Sequence, residues 1–336
     1  MKTREITLEF SPTIPRPPVA PKQLYAQACS SDEITVNSWR KQWVSQVKEN
    51  HARFGPFKDR GLGKLYGKLK NQPCIVVGSG PSLKHNVEDL KDTKGIAVIS
   101  CLHNFQFLED NGVKVDYYTT LDAGRITIEE VSEGGKKTAD EYFALTKDKT
   151  LIAFTGSHPE LIAKWQGQVY WYAAPIPNEE VMAEIEAVEP FHTYVSSGGN
   201  VLGASFYIAK AIMGANPIVF VGADFAFGYD QKFHAWDSKY DANQGHVVHA
   251  VDVFGNRVKT WQSYYNFKCW FESRACVVPG LYINATEGGI LGSYPDGNIE
   301  PIKQMALCDV IKMYSISEAV KGQCESPEVA DKKILF

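Results

Sequence analysis

The chain has 336 residues, enough to bury one large core or two unequal ones. Its 44% hydrophobic and 22% charged residues are those of an ordinary globular protein, and a net charge of −4 offers no general attraction to nucleic acid or an anionic membrane. The seven cysteines form no CxxC pair, which fits a reducing compartment better than a disulfide framework.

The opening MKTREITLEF carries charges and no apolar core of a secretory signal, and no apolar run approaches the roughly 20 residues of a membrane span. A cytoplasmic enzyme or binding protein is the expectation. Residues 11–22 hold five prolines and read as extended. Residues 32–53, with Trp39, Trp43 and Val47 at helical spacing, read as an amphipathic helix packing on the main domain or on a neighbouring subunit, which leaves a homo-oligomer open. Residues 58–70 are basic and glycine-containing, the composition of a linker. This divides the chain into an N-terminal segment (1–70), a main domain (71–315) and a polar tail (316–336).

From Cys74 the pattern alternates. CIVV (74–77) is a buried strand, and Gly78-Ser79-Gly80 a turn. Pro81 stands where a helix begins. Residues 95–100, 116–121 and 151–155 read as strands with helical stretches between them. Ser196-Ser197-Gly198-Gly199 opens a long apolar helix, and 218–222 is another buried strand ending at Asp224. Residues 225–250 look like a long irregular loop, 251–260 a hairpin, 260–275 a helix, 281–285 a strand and 301–314 a closing helix. Short β-branched runs alternating with helices predict an α/β fold, a mostly parallel sheet with helices on both faces. Its strand C-termini share one edge, where such sheets bind ligands.

Several polar residues fall on that edge. The Gly78–Ser82 turn, feeding a helix N-terminus, could cradle a phosphate through its backbone N–H groups, Pro81 and Ser82 included in the loop; an ordinary βα turn is the plain alternative. Asn104 could bind a base or ribose, or simply cap a helix. Asp122 could bind ribose hydroxyls or a metal. Ser196, Ser197, Gly198 and Gly199 offer a second anion site. Glu287 joins if its strand lies in the same sheet. For a general base, His234 leads His246 and His249, and no cysteine pair stands near them to suggest structural zinc.

These strings in order also carry a resemblance. VVGSGPSL, the 112–116 turn into TTLDA, the SSGGNVLGASFYIAKAIMGANPIVFVGADFAF stretch with KFHA after it, and YINATEGG are similar to the family that joins the motility-associated-factor (Maf) glycosyltransferases with the MptE-type 6-hydroxymethyl-dihydropterin diphosphokinases. The similarity spans roughly Lys58–Ile302. The first half also resembles bacterial sialyltransferases with GNGPSL and CNxF segments; here Ser79 replaces the first asparagine and Asn104 matches the second. The resemblance implies a Rossmann-like nucleotide-binding core. The Maf branch would transfer a nonulosonic (sialic- or pseudaminic-type) sugar from its CMP-linked form to a glycan or protein hydroxyl. It would use a histidine base and helix N-termini, with Asp224 beside them, and no obligatory metal. The diphosphokinase branch would use ATP, with magnesium on Asp122 or Asp224. NATEGG, KFHA and LDAG favour the Maf branch. A third reading is a nucleotide-binding module without catalysis.

Overall fold

The structure is a computed structural model that describes residues 9–15, 21–93, 95–236 and 245–315, with the backbone alone for 21–33. The expected polar tail 316–336, residues 16–20 of the proline-rich stretch and 237–244 of the long loop lie outside the described residues.

Eight parallel strands form the central sheet. In chain order these are β1 (Cys74–Val77), β2 (Ala97–Cys101), β3 (Tyr117–Thr120), β4 (Thr150–Phe154), β5 (Gln168–Tyr172) and β6 (Ile218–Val221). An antiparallel hairpin of β7 (Val247–Val251) and β8 (Arg257–Trp261) follows, and then β9 (Tyr282–Asn284) and β10 (Ile302–Gln304) complete the main sheet. The order across the sheet is β10-β9-β6-β1-β2-β3-β4-β5. All four residues of β1 and of β6 are buried, and since successive side chains point to opposite faces, both faces must be covered. The helices include α1 (Pro21–Phe54), α2 (Leu83–Leu90), α3 (Phe105–Asp110), α4 (Val201–Tyr207, continuing as a π turn to Ile212), α5 (Gln262–Val277) and α6 (Leu307–Tyr314). The architecture is the Rossmann-like α/β fold expected. No helix among the described residues is long and apolar enough to cross a membrane.

Three local expectations differ. Residues 58–70 are no linker: Phe57, Leu62, Leu65 and Leu69 are buried, and the N–H groups of Gly67 and Leu69 donate to Ile212 and Met213. The stretch 301–314 splits into β10 and α6, because Ile302 pairs beside Tyr282 at the sheet edge. The loop after Asp224 already contains β7, which starts four residues before the expected hairpin. The N-terminal helix docks where the sheet ends: Gln42 and Gln46 donate to the Ala123 carbonyl, and Asn50 to those of Thr155 and Ser157.

The chain leaves β1 toward β2 on one side and later returns to lay β6 on the other, so β1 and β6 flank the point where strand order reverses. Three turns meet there. The Gly78–Ser82 turn follows β1, Gly222–Asp224 follows β6, and Thr286–Gly289 follows β9. Gly78 and Gly80 donate their N–H groups to Val221 and Gly222 at 2.8 and 2.9 Å. A Cβ on Gly78 would lie 2.6 Å from the Gly222 carbonyl oxygen, and one on Gly80 2.7 Å from the same atom and closer still to Asp224. Asp224, 3% exposed, directs Oδ1 at the Ser82 N–H (3.2 Å) and the Ser82 hydroxyl. Its backbone carbonyl accepts from Ile290, while Ala223 donates to the Thr286 hydroxyl. Gly288 and Gly289 have no room for a side chain against Ser82 and Asp224. Burial pushes the Asp224 carboxyl up to about 7, against the opposing pull of the Ser82 hydrogen bonds.

Two outcomes follow for stability. Gly80→Ala, whose methyl collides with backbone and carboxylate, should lower stability by about 2 kcal/mol or more. Gly63→Ala, where a Cβ meets nothing within 4 Å, should leave the melting temperature nearly unchanged. Equal effects would mean that the turns are not in tight contact. For Asp224 the folded-state pKa lies above the unfolded value, so its contribution is most favourable in acid and declines as pH rises toward 7. Melting curves of the wild type and Asp224→Asn, measured from pH 5 to 7.5, should therefore diverge, with the wild type gaining on the variant as pH falls. Parallel curves would contradict a buried, hard-to-ionise carboxyl.

Candidate functional site

Three of the N–H groups expected to cradle a phosphate in the Gly78–Ser82 turn are engaged within the protein. The two glycine N–H groups bond to the turn after β6, the Ser82 N–H holds the Asp224 carboxylate, and Pro81 has no N–H to give. The glycines serve close contact between turns rather than close approach of a ligand. Asp224, expected as a catalytic or magnesium-binding carboxylate, is turned inward onto Ser82.

Asn104 ends the 3-10 turn Leu102–Asn104 that follows β2. It is fully buried, and its amide Nδ2 lies 2.9–3.3 Å from Ser100 Oγ and the Val77 and Gly78 carbonyls. The side chain thus ties β2 to the first glycine turn, and it does not cap α3. Its Oδ1 has no hydrogen-bond partner among the described residues.

Next to it, a small concave pocket opens at the C-terminal ends of β2 and β3, walled by His103, Thr119, Thr120, Asp122, Glu130 and Val201. Thr119 is fully buried, and its hydroxyl lacks a hydrogen-bond partner among the described residues. Buried polar atoms of this kind normally find one, so the Thr119 hydroxyl at the pocket wall suits a small polar ligand. Crowding at the wall raises the carboxyl pKa values of Asp122 and Glu130, with His103 pulling both back. Solvent still reaches Asp122 and offsets part of that desolvation. A wider, open cleft lies between α1 and the helix Pro159–Lys164, lined by Gln42, Glu49, Arg53 and His158. It is a surface groove, whereas the His103 imidazole and the Thr119 hydroxyl meet at the smaller pocket.

His234 reaches this region from the loop after β6. Its Nδ1 lies 3.1 Å from the Ser79 carbonyl oxygen, which can only accept, so Nδ1 carries the proton and the neutral ring's lone pair is on Nε2. The ring stacks on Trp236 at 4.9 Å and 8°, and meets the edge of His103 at 4.7 Å. Burial, aided by His103, pushes the His234 imidazole down to about 3. It is therefore neutral at physiological pH but weakly basic, unlike the near-neutral histidine the sequence suggested.

The other expected residues sit elsewhere. His246 and His249 occupy exposed positions at the β7–β8 hairpin, His249 opposite Lys259. Glu287 accepts the Leu307 N–H at 2.7 Å, securing the start of α6. The helix after Ser196–Gly199 begins only at Val201, capped by Asn200, whose Oδ1 accepts from Gly203 at 2.9 Å. Gly198 and Gly199, both at positive φ, give way to Trp270 and Phe267 of α5. Ser197 Oγ accepts from Gly199, and Val201 carries the start of α4 to the pocket. Sequence reasoning missed His103, Glu130 and Glu133, the last 3.1 Å from His103 Nε2. Adjacency of His103 to Asn104 was the available signal for the histidine; nothing in the Lys/Glu-rich stretch marked the two glutamates.

A family model described as 6-hydroxymethylpterin diphosphokinase MptE-like matches residues 47–230. Among solved structures, a Maf glycosyltransferase from Magnetospirillum magneticum AMB-1 is similar over 80% of this chain, at 18% identity and a TM-score of 0.56. That alignment covers 38% of the Magnetospirillum chain, so the two share a fold over a part of the larger protein. No curated protein matches the chain. The family match runs through β1 to β6, and the resemblance read from VVGSGPSL through GADFAF agrees with it over those residues: the chain belongs to the MptE-like family.

Proposed function

We propose that the protein is a nucleotide-dependent transferase, and that it transfers a nonulosonic sugar from a CMP-linked donor to a glycan or protein hydroxyl. The observation that carries this reading is the convergence of imidazole, carboxylate and hydroxyl groups on one pocket at the strand-end edge. Asp122 and Glu130 are placed to accept hydrogen bonds from ribose or sugar hydroxyls, and Thr119 offers a buried hydroxyl to a base or sugar. The start of α4 supplies N–H groups for the departing phosphate. A histidine takes the acceptor proton. The fold shared with the Maf glycosyltransferase supports this choice within the family.

A second reading is favoured by two observations of its own, the description of the matching family and the pair of carboxylates on one pocket wall. Diphosphate transfer from ATP to a hydroxymethylpterin needs magnesium, which one or two carboxylates and the substrate's phosphates can hold. Asp122 with Glu130 would serve, whereas Asp224 is committed to Ser82. The metal would neutralise the triphosphate's charge.

Thermal-shift measurements with CMP, CDP, ATP and ATP plus magnesium separate these. The sugar reading expects CMP at saturating concentration to raise the melting temperature by about 2 °C or more, with no such rise for ATP. A rise with ATP that requires magnesium would favour the diphosphokinase. Stabilisation by none of them would leave both without support.

A further inference from the structure

We infer that His103, held by Glu133, is the general base of this pocket and that His234 positions it. The inference rests on the transferase reading above and names the group that would take the acceptor's proton.

The two histidines differ in what the fold does with them. His234 is 5% exposed, with one nitrogen committed to the Ser79 carbonyl and one ring face to Trp236. His103 forms part of the pocket wall, beside Asp122 and Thr119. Its Nε2 lies 3.1 Å from Glu133 Oε2, both side chains being largely enclosed at 16% and 15% exposure. A carboxylate only accepts, so Nε2 carries the proton and the neutral ring presents its lone pair at Nδ1. An imidazole whose far nitrogen bonds to a carboxylate is fixed in tautomer and orientation, and the imidazolium formed on protonation is stabilised by that carboxylate. The rings of His234 and Trp236 stand at 75° and 79° to His103, at 4.7 and 5.1 Å, and restrict its rotation. The charged and titratable groups facing His103 are Glu133, Asp122, Glu130 and His234. Glu133 is itself held in place, since its backbone carbonyl accepts from Gln106 at 2.6 Å.

In the step, the acceptor hydroxyl oxygen forms a bond to the anomeric carbon of the sugar while the bond from that carbon to the CMP phosphate oxygen breaks. The electron pair leaves with CMP. The hydroxyl proton passes to His103 Nδ1 and is later released to water.

The test uses the full chain and two readouts. In ¹⁵N-histidine-labelled protein, long-range proton–nitrogen spectra should show His103 protonated on Nε2. With CMP-N-acetylneuraminic acid as donor and CMP release as the assay, His103→Gln should lose about 100-fold or more in kcat. Glu133→Gln should lose about 10- to 100-fold, as does removal of a partner that orients a working imidazole. Both losses fall on kcat, with CMP affinity by calorimetry held within about threefold, the mark of an interaction made in the transition state. An Nδ1-protonated His103, or a His103→Gln variant that keeps more than half of wild-type kcat, overturns the inference. If the wild type releases no CMP but forms AMP from ATP, magnesium and a hydroxymethyl-dihydropterin, the sugar reading falls, and the same variants are judged on AMP formation. If neither reaction runs, the tautomer decides.

Discussion

A buried carboxylate holds the functional edge of this protein together. Asp224 sits where three strand-end turns meet, and it bonds through one oxygen to the N–H and hydroxyl of Ser82. An ionised carboxyl in such a place is costly, and its pKa rises accordingly. The surrounding geometry makes sense only around it. Gly80 and Gly289 lack side chains because the Asp224 carboxyl and backbone fill that space, Gly288 because the Ser82 hydroxyl does, and Gly78 because the Gly222 carbonyl does. An N–H at the approach to α2, which in other Rossmann-like proteins would face a ligand's phosphate, here faces a carboxyl the chain supplies itself.

That substitution moves the place where a ligand can act. With the turn after β1 closed, the open ground on the same edge lies one strand over, beyond β2 and β3. The chain furnishes it from distant parts: His103 from the end of β2, Asp122 from the end of β3, Glu130 and Glu133 from the stretch that follows, and Val201 from the start of α4. His234 and Trp236 arrive from the loop after β6 and pack against His103 rather than standing in solvent. The Ser79 carbonyl anchors His234, so the closed turn still shapes the pocket through that imidazole. Aromatic stacking at this point does what a hydrogen-bond network alone would not, since it fixes ring planes as well as positions.

Much of the fold was legible because its core strands are short, continuous β-branched runs bounded by turns. CIVV and IVFV could be placed to within a residue. β10 could not: Ile302-Lys303-Gln304 has no such run and becomes a strand only by pairing with β9. Residues 58–70 looked like a linker because they are basic and glycine-containing, yet Leu62, Leu65 and Leu69 are buried. The glycine turns were found for a sound reason, but a sequence shows that a Cβ is excluded without showing what excludes it. His234 was visible as a histidine in an aromatic loop, but its burial was not. Glu133 was invisible, because a glutamate in a charged helix-and-loop stretch gains meaning only when tertiary packing sets it beside His103. The sheet edge was therefore readable, and the choice of working residues along it was not.

The most direct check is a crystal structure of the full chain with CMP. The account places the nucleotide in the pocket beyond β2 and β3, in contact with Asp122, Thr119 or His103, with Asp224 still bonded to Ser82. Density for the phosphate inside the Gly78–Ser82 turn, with the Asp224 carboxylate displaced from Ser82, would contradict it.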